Sequence, residues 1–185
     1  MPKMNFVVAL GATVLAGLAC MAPARAQVST SGYVLPMNLA LEAALEAERS
    51  CSAKGYPVTV TVVDVAGTPQ VTLRGDHATI HTKDSAYRKA YTAVTMGPIF
   101  HLDRTSQFLE VLGKYPSLAA QSLASTPNVT TLSGGVAIKR GEEIVAGIGV
   151  GGSPGGDKDE VCAQAGVTKI LEKLSRLPPT PANRA

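Results

Sequence analysis

Tryptophan is absent from this chain and other aromatics are few, with three Phe and five Tyr in 185 residues. A core cannot be assembled around large rings, so packing has to rest on Val, Leu, Ile and Ala. Excess charge is missing as well. The formal net charge is +3, but Lys3 and Arg25 fall in a segment expected to be removed, and without them Lys+Arg drops from 17 to 15 against 14 Asp+Glu. A balance of +1 leaves no basic footprint, so no nucleic-acid partner is expected. Past residue 26 no apolar run approaches the roughly 20 residues needed to span a bilayer, and the mature chain is expected to be soluble with no membrane span. Nucleophile signatures are lacking too: there is no G-x-S-x-G, and no Cys has an assignable His partner.

What is present begins with a targeting segment. Lys3 supplies a positive start, residues 6–19 an apolar stretch, and Ala24-Arg25-Ala26 a small-x-small cleavage site, so residues 1–26 read as a signal peptide with cleavage before Gln27. The protein is then periplasmic or secreted. The competing reading is a lipoprotein signal ending Gly17-Leu18-Ala19-Cys20, in which Gly17 stands where an aliphatic residue is usual. The remaining 159 residues suit one domain with a full core.

Export changes the meaning of the cysteines. Cys20 leaves with the signal, and Cys51 and Cys162 remain as a pair in an oxidising compartment. Cys51 falls near the end of the first expected helix and Cys162 near the start of the last, so antiparallel packing of the two would bring them together. A disulfide is the preferred expectation; the alternatives are two buried free thiols or, least favoured, metal ligation.

Residues 147–160, GIGVGGSPGGDKDE, satisfy G-x-G-x-x-G at Gly147, Gly149 and Gly152. A dinucleotide site would also need a second parallel strand and an acidic residue about 20 positions on, and the chain runs instead into Leu177-Pro178-Pro179. No Lys-Ser or Lys-Thr closes the loop in the Walker manner, and Asp157, Asp159 and Glu160 sit where a phosphate would want bare N–H groups. The stretch reads as a strand, a glycine turn and pocket wall, and a helix with Asp157 as N-cap and Glu160 closing a capping box.

Periodicity gives the remaining elements. Residues 27–36 form a small, polar, flexible leader; residues 38–54 show helical spacing ending at Gly55; residues 58–64 and 71–74 make a hairpin around Ala66-Gly67, with Val58, Val60 and Val62 facing one way. Thr82 is placed to cap a helix over residues 82–96, with Ala86, Ala90, Ala93 and Val94 inward and Gly97-Pro98 as its stop. Shorter helices are expected over residues 105–112 and 117–124, a second hairpin over 136–139 and 143–150, and a closing helix over 158–175. Pro178, Pro179 and Pro181 mark a disordered tail over 177–185, which leaves 37–176 as the folded domain. Hairpins separated by helices predict an α+β domain, an antiparallel sheet flanked by helices, with the first and last helices on one face.

Three histidines, His77, His81 and His101, are the side chains that titrate near neutrality. His77 and His81 are four apart, the spacing of paired metal ligands on a helix, but both are expected in the loop before Thr82, where solvated histidines are common. Tyr87, Arg88, Lys89 and Tyr91 follow, a set of cations and phenols suited to a planar anionic ligand or simply to an exposed helix face. Asp64 ends a buried strand; it is either a general base or an acceptor for turn N–H groups.

Taken together, VTVTVVDVAG at 58–67, HTKDSAYRKAYTA at 81–93, GGVAI at 134–138 and GIGVGGSPGGDKDEVCAQAG at 147–166 resemble the GlcG/HbpS family, the haem-degrading or DUF336 domain, over roughly residues 37–175. The resemblance implies a profilin-like α+β sandwich, a homo-oligomer and, for some members, haem binding. His77 departs from the small residues that related chains tend to carry there. Two function classes follow. One is an exported haem or tetrapyrrole binder, whether carrier, sensor accessory or haem-degrading, with His81 on the iron, Met96 or His77 as a possible second ligand, and Arg74, Arg88 or Lys89 pairing with propionates. The other is a periplasmic metabolite-binding or metal-free enzyme domain using a pocket between the 82–96 helix and the 147–156 glycine loop.

Overall fold

A computed structural model of the chain describes residues 33–178. Its elements run α1 (Met37–Ser52), β1 (Thr59–Asp64), β2 (Pro69–Arg74), α2 (His81–Phe100), α3 (Thr105–Leu112), α4 (Ser117–Ala124), β3 (Gly135–Arg140), β4 (Glu143–Gly151) and α5 (Gly156–Ser175). The four strands form one antiparallel sheet in the order β2-β1-β4-β3. The α+β class is as the alternation of hairpins and helices predicted. The expected signal peptide over residues 1–26 with its Cys20, and residues 27–32 of the expected leader, lie outside the described residues, as do residues 179–185 of the expected tail.

Strand alternation sorts the sheet into two unlike faces. Val60, Val62, Ile148, Val150, Val136 and Ile138 project to one side and meet α1 and α5 in the main core. Those two helices are antiparallel, since Cys51 at the end of α1 bonds Cys162 at the start of α5, while Lys173 near the end of α5 pairs with Glu42 near the start of α1 at 2.7 Å. They come close enough that a Cβ on Gly166 would stand 2.4 Å from the Ala43 carbonyl oxygen. The disulfide expected from export and helix placement is present, with a Cα–Cα distance of 5.6 Å.

The other face carries Thr59, Thr61 and Val63 on β1 and a row of glycines on β4, and α2 lies directly on it. Val63 packs with Ala90 and Val94. Added Cβ atoms on Gly147 and Gly149 would fall 2.6 Å and 2.1 Å from the carbonyl oxygens of Ala90 and Ala86. The glycine motif is therefore a bed for a helix. This narrows the expected pocket between the 82–96 helix and the 147–156 segment, because along β4, at Gly147, Gly149 and Gly151, the α2 backbone fills that space. The expected inward residues Ala86, Ala90, Ala93 and Val94 are all buried.

Most element ends shift by one or two residues from the sequence reading, and at three of them an expected cap or stop is lost. Helix α2 begins at His81 rather than after it, with Ile80 as its N-cap, and Thr82 is an interior residue whose hydroxyl bonds the Thr79 carbonyl oxygen and Thr59 Oγ1. It also runs through Gly97-Pro98 to Phe100, ending on His101 in the left-handed conformation at φ 55°. Proline costs one intrahelical bond there, and packing of Met96, Phe100 and Leu102 with Phe108, Leu112 and Val129 holds the extra turn. Helix α5 starts at Gly156 with Gly155 as N-cap, so Asp157 and Glu160 form no capping box.

The ends of the domain are tied together by Arg140. Its guanidinium stacks 3.8 Å from the Tyr33 ring centroid and donates to the carbonyl oxygens of Leu177 and Pro178. With Leu35 fully buried, residues 33–36 are part of the packed domain and not of a free leader. Asp64 is a turn acceptor, taking bonds from the N–H groups of Ala66 and Thr68 at 2.9 Å each.

Candidate functional site

The segment between β2 and α2 presents the histidines. Gly75 N–H donates to the Val58 carbonyl oxygen and Ala78 N–H to that of Gly75, closing a turn in which His77 takes a left-handed φ of 65°. Arg74 secures the turn from below, with both Nε and Nη2 donating to the Ala78 carbonyl oxygen. His77 and His81 are both exposed. His81 Nδ1 lies 3.2 Å from Thr79 Oγ1, so the ring is oriented through one nitrogen while Nε2 is on its outer edge.

Seven residues separate His81 from Arg88, a rotation of about 20° and a rise of about 10.5 Å along an α-helix. Both therefore occupy one exposed face of α2, with Ile80, 73% exposed, beside them. Arg88 Nη2 donates to the Val129 carbonyl oxygen at 2.7 Å, which fixes its guanidinium along this face. Tyr87 and Tyr91, with ring centroids 5.8 Å apart, border it, and the Tyr91 ring covers the Gly67 turn.

Two expected site residues point elsewhere. Met96 is buried with Leu102, Phe108, Leu112 and Val129, and fifteen residues from His81 it stands about 22 Å further along the helix. That span excludes Met96 and His81 as the two axial ligands of one iron within a chain. Lys89 is buried too: its ammonium donates to Asp159 Oδ2 at 2.6 Å and to the Val150 carbonyl oxygen at 2.9 Å. It is bound inside the protein and not offered to a propionate. Among the described residues no group of three or more His, Cys, Asp or Glu side chains converges as a metal site.

Sequence reasoning missed the network behind this face. Asp159, read as a charge at a helix start, is buried, and its second oxygen accepts the Ser153 N–H at 3.1 Å, holding the 152–155 turn. Glu160 is buried as well and accepts both the N–H and the hydroxyl of Ser106, anchoring the first turn of α3 to α5. The sequence did contain a signal. Lys89 shares its helical face with Ala86, Ala90 and Ala93, and a charge on a buried face requires a counter-charge.

No helix among the described residues is long and apolar enough to cross a membrane. On β3 the hydrogen bond from Lys139 to Asp103 raises the lysine above its ordinary value against the opposing effect of burial.

Comparison with known proteins fits this architecture. The model of a family described as haem degrading protein HbpS-like matches residues 35–168. The fold is similar to that of an HbpS double mutant from Streptomyces reticuli, with a TM-score of 0.66 and 34% identity over 90% of this chain and 97% of that one. It is similar to the chain of a PduOC:Heme complex, with a TM-score of 0.65 and 28% identity over 75% of this chain and 96% of that one. In sequence, the corrinoid adenosyltransferase PduO of Salmonella typhimurium is 34% identical over 117 residues, 62% of this chain. Those residues are 32% of that relative, so this chain matches about a third of its length.

Proposed function

The chain belongs to the HbpS-like family of haem-degrading proteins, and from that footing we propose that it is an exported, homo-oligomeric haem-binding protein whose iron ligand is His81. The observation that carries this reading is the exposed imidazole at the first residue of α2, oriented through Nδ1 by Thr79, with Arg88 on the same helix face. A neutral imidazole is a common protein ligand for haem iron, and a guanidinium pairs well with a carboxylate. The likeness to a chain that takes haem in the PduOC:Heme complex supports the same reading.

The donor set fits the group. His81 would hold the iron, Arg88 would meet a propionate, and Ile80 and Tyr87 would give apolar surface to the ring. Bound haem would supply redox-active iron; the chain's own part is to orient the imidazole through Thr79 and Thr82 and to keep the cation along the helix. Arg74 is a second cation close to the turn, already bonded to Ala78. For the alternative, a metabolite-binding or metal-free enzyme domain, the β4 glycines leave no room beneath α2, so its site would lie against the 152–156 turn.

Addition of hemin to the purified exported chain tests the proposal. A Soret band shifted from that of free hemin is expected, and an unshifted spectrum would contradict it.

A further inference from the structure

Thr79 has an exposed side chain on a main chain that is fixed from both sides. The Ala78 carbonyl oxygen just before it accepts both donors of the Arg74 guanidinium. Its own carbonyl oxygen accepts the N–H of Thr82 at 3.1 Å and the Thr82 hydroxyl as well. That hydroxyl has one hydrogen to give, so in its 2.7 Å contact with Thr59 Oγ1 it is Thr59 that donates. A directed chain of bonds thus runs from β1, inside the sheet, through Thr82 to Thr79, and Thr79 Oγ1 ends it 3.2 Å from His81 Nδ1.

A hydroxyl at that nitrogen governs how the ring can hold a metal. A neutral imidazole has one proton for two nitrogens. Among the described residues Thr79 Oγ1 is the one hydrogen-bond partner of the His81 ring, although Asp84 follows one turn later. It occupies Nδ1 and leaves Nε2 outward. With a metal on Nε2 the proton is confined to Nδ1, and Thr79 Oγ1 becomes its acceptor while its own hydrogen turns to solvent. The charge of the acceptor then sets the strength of the ligand. A carboxylate in that place draws the proton and makes the ring a stronger electron donor, which favours ferric iron; a hydroxyl draws it weakly and leaves the ring a neutral donor.

We propose that Thr79 is a positioning residue for the iron site: its hydroxyl accepts the Nδ1–H of His81, commits Nε2 to the metal and, being uncharged, biases the iron toward the ferrous state. The inference rests on His81 as the iron ligand and adds the residue that governs the donor strength of that ligand.

The test uses the hemin-loaded exported chain, with two readouts that a merely structural role would not move in step. One is the midpoint potential of the iron by spectroelectrochemistry, and the other is the iron–histidine stretching band of the dithionite-reduced form by resonance Raman, which reports the bond at Nδ1. Thr79→Val keeps the shape and removes the acceptor, so the potential is expected to rise and the band to fall in frequency. Thr79→Ser is expected to restore both to wild type, and Thr79→Asp to shift both the opposite way. Circular dichroism is expected unchanged throughout, because the Thr79 side chain is exposed. A wild-type spectrum that is that of free hemin, or that His81→Ala leaves unaltered, would overturn the iron ligand and this inference together. Iron bound through His81 whose potential is the same in wild type, Thr79→Val and Thr79→Asp would overturn the inference alone.

Discussion

Lys89 Nζ and Asp159 Oδ2 lie 2.6 Å apart with both side chains all but removed from solvent, and this one contact joins the middle of α2 to the first turn of α5. It sits behind the glycine bed on one side and the 152–155 turn on the other. Asp159→Asn should cost about 3 to 5 kcal/mol, because it leaves a buried ammonium uncompensated. Urea unfolding checks this, and a loss below about 1 kcal/mol would mean that water reaches the pair.

Gly149→Ala should destabilise by about 1 to 3 kcal/mol, since the new methyl group meets the Ala86 carbonyl oxygen at 2.1 Å and the α2 backbone has to move. Gly113→Ala is the control. Its contacts begin at 3.5 Å and its φ is −61°, so the midpoint of unfolding should hold or rise.

The disulfide closes a separation of 111 residues. In the chain-entropy model its removal should cost up to about 4 to 5 kcal/mol, read as a lower denaturation midpoint for Cys51→Ser/Cys162→Ser. Thiol titration of the unreduced, denatured protein should give no free thiol. Two free thiols would contradict the bond.

The pair between Lys139 and Asp103 is partly exposed, so Lys139→Met should change stability by less than about 1 kcal/mol at neutral pH. The lysine is raised above 10.5 by its bond to Asp103. Its contribution is thus complete below that value and fades as pH rises through the higher folded-state value. Denaturation of wild type and variant from pH 8 to 11.5 should show the difference narrowing only at the alkaline end.

Element types were legible because each obeyed one period. Val58, Val60 and Val62 alternate, Ala86, Ala90, Ala93 and Val94 recur at helical spacing, and α3 and α4 fell where their apolar residues placed them. The ends of α2 and α5 were misread for a shared reason: Thr82 and Asp157 have the chemistry of caps, yet tertiary contacts engage the Thr82 hydroxyl with Thr59, and the α5 helix begins at Gly156. The glycines were recognised as structural, but the element resting on them was not, since close approach between distant segments leaves no local period. The candidate site divided likewise. The exposure of His81 was legible, but it was expected in a loop and its shared face with Arg88 appears only once α2 is seen to begin at His81, while the commitment of Lys89 to Asp159 depends on residues 70 positions apart.

The most direct test of the account compares hemin titrations of wild type and His81→Ala by visible absorption, with Met96→Leu and His77→Ala as parallel variants. The account predicts a shifted Soret band for wild type that is lost or moved in His81→Ala, retained in Met96→Leu, and obtained with circular dichroism unchanged throughout, because exposed His81 contributes little to the core. A wild-type spectrum identical to free hemin, or a His81→Ala spectrum identical to wild type, would contradict it.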